Sequence, residues 1–191
     1  MTSILNRQFR NTRTRKIVVL GIFIALASII QYVENIVFPS SLPFRIGIAN
    51  IITLLTIACF GMFEAIAVAA SRSILASILS GKLLGMPFLL GISGGIISAA
   101  IMGILFSRSE NLGIVGVSVV GATAHNFTQL FIIYLLLIRN PGVFHLIPYL
   151  WLTALVSGII IGYIALGALN TPIAKKLTLW KKESNLTSKK L

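Results

Sequence analysis

His125, Asn126 and Gln129 fall within five residues of one another, inside an apolar run that opens with VGVSVV and closes with FIIYLLLI. An imidazole and two carboxamides offer donors, acceptors and one group that ionises near neutrality. Counted in steps of three or four, Ser118, Gly121, His125 and Gln129 share one helix face, with Asn126 beside it. Such a face binds either a ligand or neighbouring helices through interhelical hydrogen bonds. Arg72 is a second polar intrusion, about ten residues into another apolar run and so roughly 15 Å deep. It reads as a cationic contact for a polar or anionic substrate, or as an arginine that bonds helix backbone. Glu34, Arg45 and Asn50 stand at the ends of two further runs, on either side of the PSSLP turn. Glu34 reads as an interfacial carboxylate, within reach of Arg45 across that turn.

These groups lie in a chain of 191 residues that is 57% hydrophobic and 10% charged, with no Asp and four Glu. Soluble domains carry about a quarter charged residues, so the composition points to an integral membrane protein of one compact domain. The net charge of +12 is concentrated in Arg7, Arg10, Arg13, Arg15 and Lys16 before the first apolar run and in six lysines from Lys175 onward. Basic clusters flanking apolar runs hold loops on the cytoplasmic side and attract anionic lipid; they argue against a nucleic-acid partner. Cys59 lies mid-run and reads as a packing residue.

Six apolar segments must position these side chains: roughly 17–38, 46–61, 62–80, 86–106, 112–138 and 143–169. The runs are continuous, without the alternation of barrel strands, so the expected fold is all-α, an integral membrane bundle of six transmembrane helices. Residues 1–16 and 170–191 form basic cytoplasmic ends around the membrane domain at 17–169. With six spans both termini share one side, which then holds twelve Lys and Arg against three on the other; this places both termini in the cytoplasm. The first segment has the basic and apolar regions of a signal peptide, but Ala25-Leu26-Ala27 lies inside the apolar core, so an uncleaved first helix is expected. Gly21 and Ala25 form a small-xxx-small pair that admits another helix at close range. The glycines of GISGGIIS make the fourth segment thin.

Enzyme signatures are absent. Ser80-Gly81-Lys82 is followed by Leu83 and has no glycine five positions before Gly81, so it is not a phosphate loop. Four scattered Glu make no divalent-metal cluster for diphosphate chemistry. No catalytic, metal-binding or cofactor residues are expected.

RIGIANIITLLTI (45–57), SRSILASILSGKLLG (71–85) and GVSVVGATAHNFTQL (116–130) together closely resemble the Gx transporter family, often labelled heptaprenyl diphosphate synthase component I. That family is similar to the substrate-binding S components of energy-coupling factor (ECF) transporters. The resemblance implies an ECF S-component-like six-helix bundle that captures a small molecule near the outer face. The cargo class it implies is a vitamin, or a flavin- or prenyl/quinone-related precursor. A transmembrane coupling subunit and two ATPase subunits in other chains would supply the energy. It implies that Gly21 and Ala25 dock the coupling subunit, with Gly-x-x-x-Ala where Ala-x-x-x-Ala is usual. The expected substrate site is then Asn50, Arg72, His125, Asn126 and Gln129, with Glu34 and Arg45 at its mouth. The family label leaves a second reading: an accessory or scaffold subunit of prenyl diphosphate or menaquinone synthesis, or of quinone-dependent electron export.

Overall fold

The structure, a computed structural model, describes residues 2–37, 47–109, 112–172 and 174–178. Arg45 lies outside the described residues. All six apolar segments become helices: α1 (Thr2–Val37), α2 (Asn50–Cys59), α3 (Met62–Leu79), α4 (Met86–Arg108), α5 (Ile114–Ile133) and α6 (Ile147–Leu169). A π-helical turn, Tyr134–Ile138, extends α5, and a 3-10 turn, Pro141–Leu146, leads into α6. Five of these units are long and apolar enough to cross a membrane: Thr14–Val37, Met62–Leu79, Met86–Arg108, Ile114–Ile138 and Pro141–Leu169. α2 is the exception. Its ten residues reach about 15 Å, half of a ~30 Å hydrocarbon core.

The ends of α2 explain its length. Gly47 (φ 73°) precedes it and Gly61 (φ 124°) follows it, and a side chain is strained in that left-handed region. The Phe60 and Gly61 N–H groups both turn back to the Thr56 carbonyl, which closes the helix. Apolar on nearly every side, α2 is buried on nearly every side. α1, α3, α4, α5 and α6 pack in sequence as an arc, and α2 touches α1, α3, α4 and α6 from inside it. The main core follows: Leu54 and Ile57 of α2 with Ala65, Met102, Val117 and Ala165. Ala27, Ile52 and Val68 join α1 to α2 and α3.

The outside of the arc is apolar as well. Ile17, Phe63, Leu79, Phe131, Trp151 and Ile160 are among the exposed large side chains. An apolar surface on this scale is solvated by lipid rather than water. Within the helices, Ser28, Thr56, Ser73, Ser93, Thr123 and Thr128 donate to the carbonyl four residues back. Their hydroxyls are thereby satisfied without water.

Helix termini mark the two ends of the bundle. Glu64 sits in the first turn of α3, where a carboxylate complements the helix dipole, and it accepts from Lys16 of α1. Pro87 opens α4 at its first turn, where its missing N–H has no partner to lose. At the same end as Pro87, opposite Glu64, the Arg139 N–H returns to the Tyr134 carbonyl, and Asn140 caps the 3-10 turn by accepting from the Gly142 N–H at 2.8 Å.

Candidate functional site

Glu34 lies eighteen positions beyond Lys16 on the same helix, or about 27 Å. The polar side chains therefore gather toward the end of the bundle opposite the Lys16–Glu64 pair. Arg72 is 2% exposed and Glu34 5% exposed. The Arg72 guanidinium donates from Nη2 to Asn50 Oδ1 at 2.7 Å. The Glu34 carboxylate accepts the Gly47 N–H. One turn before Glu34 on α1, Gln31 Nε2 lies 3.5 Å from Ser73 Oγ on α3. This bonding ties α1 to the lead-in of α2 and to α3.

His125 enters from α5. Its Nε2 is 2.9 Å from Gln129 Nε2, one turn along the helix. With the amide nitrogen donating, Nε2 accepts and the imidazole proton sits on Nδ1; an amide turned by half a revolution reverses both roles. α4 lets the ring reach this position. A Cβ on Gly94 would stand 2.9 Å from His125 Cε1 and Nδ1, and a Cβ on Gly95 would stand 3.5 Å from Arg72 Nη2. The GISGG stretch is therefore thin where histidine and arginine press on α4 from its two neighbours.

Gln31, Glu34, Gly47, Ala49, Arg72, Gly91 and His125 line one cavity. About 10 Å³ of it is open to the centre of a water molecule, which is room for a single water. Its wall carries a carboxylate, a guanidinium, an imidazole and a carboxamide, contributed by α1, α3 and α5. Among the described residues, no three His, Cys, Asp or Glu side chains group as metal ligands.

Of the residues singled out in the sequence, Glu34, Arg72 and His125 share this cavity, with Asn50 and Gln129 bonded to them from behind. Asn126 goes elsewhere: its Nδ2 donates to the Leu150 carbonyl at 3.2 Å and lies 3.5 Å from Thr153 Oγ1, both on α6. Gly21 and Ala25 are far from the site and face outward, with nothing within 4 Å of a Cβ placed on Gly21. Sequence reasoning missed Gln31, whose spacing of three from Glu34 was a readable signal, and Gly47 and Ala49, which had none; it marked Gly91 only as part of the thin GISGGIIS stretch.

A sequence model of the heptaprenyl diphosphate synthase component I family matches residues 23–167, nearly the whole bundle. The chain belongs to that family. The match takes in every described residue of the cavity wall as well as Gln129 and Asn50. Neither the curated proteins nor the solved structures compared with this member of the heptaprenyl diphosphate synthase component I family gave a match.

Proposed function

We propose that this protein is the substrate-capturing membrane subunit of an ATP-driven uptake transporter for a small polar molecule. In this reading the 46–61 segment that contains the short α2 makes the sixth crossing, which puts both termini on the cytoplasmic side. A coupling subunit and two ATPases are separate chains. The observation that carries the proposal is the cavity among Glu34, Arg72 and His125, held by Asn50 and Gln129 inside an otherwise apolar bundle. Buried charge in a membrane is expensive and marks binding or transport sites by default. Binding alone is assigned to these residues, with no bond made or broken.

A ligand site of ordinary size runs to about 300–1,000 Å³, so the cavity must widen to take one. α1 is the element whose movement would widen it. It carries Glu34 and Gln31 and leaves Ile22, Leu26, Ile29 and Val33 exposed on its outer side. The test is mass spectrometry of small molecules released from gently purified protein, alongside Arg72→Ala and His125→Ala variants. A compound held by the parent and lost from both folded variants supports capture.

The cavity's single-water size and the family's description favour a second reading: a membrane accessory subunit of prenyl diphosphate synthesis. Co-purification of a soluble synthase, with no small molecule released, would establish that reading over the first.

A further inference from the structure

The lining of the cavity carries both signs of charge. Glu34 supplies one carboxylate and Arg72 one guanidinium, while His125 in its neutral form and Gln31 supply none. Each charged group is already oriented by its own partner: Gly47 N–H on the carboxylate and Asn50 Oδ1 on the guanidinium. Burying one ion alone in this apolar bundle is far more costly than burying two of opposite sign in one cavity. The formal charge of the wall is therefore zero before anything binds. A molecule carrying a net charge would leave one uncompensated charge in a site removed from water.

We propose that the molecule this cavity accepts has no net charge: a neutral or zwitterionic compound that places a hydrogen-bond donor on Glu34 and an acceptor on Arg72. This rests on the small-molecule reading given above and narrows it. The arginine does not select an anion, because the carboxylate in the same cavity wall opposes one. His125, fixed by Gln129 and by contact with Gly94, adds a third polar contact to the same wall. Selection is then by the pairing of donor and acceptor rather than by charge.

Charge-neutralising variants test this. The parent protein, Glu34→Gln and Arg72→Gln are each reconstituted in nanodiscs and incubated with a yeast small-molecule extract. They are then washed, and the retained compounds are identified by mass spectrometry in both polarities. Gln at position 34 keeps an acceptor for the Gly47 N–H, so that variant is built to fold, and its arm suffices if Arg72→Gln does not. The parent is expected to retain compounds of zero net charge. Glu34→Gln should enrich monoanions, and Arg72→Gln monocations, each by at least about tenfold, since a charge left unopposed in such a site favours a ligand of opposite sign. A parent that retains monoanions, with Glu34→Gln unchanged in charge class, overturns the inference and leaves small-molecule capture standing. A parent and variants that all retain nothing overturn capture itself.

Discussion

On α6, Gly158 and Gly162 lie against the backbone of α5: a Cβ on either would stand 2.6 Å from Val119 Cα or 2.7 Å from Val115 Cα. On α1, Gly21 and Ala25 repeat the same four-residue spacing and face outward, with open space beyond Gly21. One pattern is thus spent inside the chain and the other is left unspent. Small-xxx-small spacing specifies how near a second helix can come; it does not specify whether that helix belongs to the same chain. The covered face holds α6 to the arc. The uncovered face at Gly21 and Ala25 leaves room on α1 for a helix from another chain to approach closely.

Adding methyl groups to the covered face should have the largest effect. The obstructing atoms at Gly158 and Gly162 are α5 backbone, which cannot swing aside as a side-chain tip can. Gly158→Ala and Gly162→Ala are each expected to cost about 1–3 kcal/mol, the usual range for overpacking. The check is thermal unfolding in detergent, followed by reaction of the buried Cys59 thiol with a fluorogenic maleimide. Midpoints equal to the parent's for both variants would show that the α5–α6 contact is looser than these distances imply.

The same contrast explains what could be read in the sequence. Gly-x-x-x-Gly at 158–162 carries the same close-packing signal as Gly21-x-x-x-Ala25, and spacing alone does not say which of the two is covered. All six segments were visible because long apolar runs leave few alternatives to helices in lipid. The 46–61 run is visibly the shortest of the six, but its reduction to a ten-residue helix was not visible, because that depends on the glycine backbone angles at Gly47 and Gly61. His125 and Asn126 are adjacent, but about 100° apart around the helix, so one joins the cavity and the other faces α6. Spacing grouped Gln129 with His125 correctly. It could not show that Glu34 joins Arg72, since that depends on how α1 packs against α3.

Gly94→Ala should have an intermediate effect. Its obstruction is the His125 ring, which can rotate away from Gln129. The expected loss is about 0.5–1.5 kcal/mol, the value of one hydrogen bond, on the same unfolding assay. The displaced imidazole should also lower small-molecule retention. Full retention with the expected destabilisation would mean that His125 packs α4 and does not contact ligand.

Asn126→Ala isolates the covered side from the cavity. It removes the bond to the Leu150 carbonyl, worth about 0.6 kcal/mol on average between helices in membranes. Because Asn126 is absent from the cavity wall, retention of a small molecule should be unchanged. A loss of retention as large as that of Arg72→Ala would join the two faces of α5 into one site.

Gly21→Leu should have the smallest effect on the isolated protein. With nothing within 4 Å of its Cβ position, an added side chain starts in open space, and the stability change should stay within about 0.5 kcal/mol. The added side chain would nevertheless fill the space through which a foreign helix reaches the α1 backbone. On the proposed transporter reading, co-purification of a coupling subunit expressed together with this chain should fall while the folded yield holds. An unchanged complex would place the partner on another face of the bundle and leave α1 bare. A drop in folded yield would instead show that some part of this chain covers Gly21, and the two small-residue faces would then serve the same internal purpose.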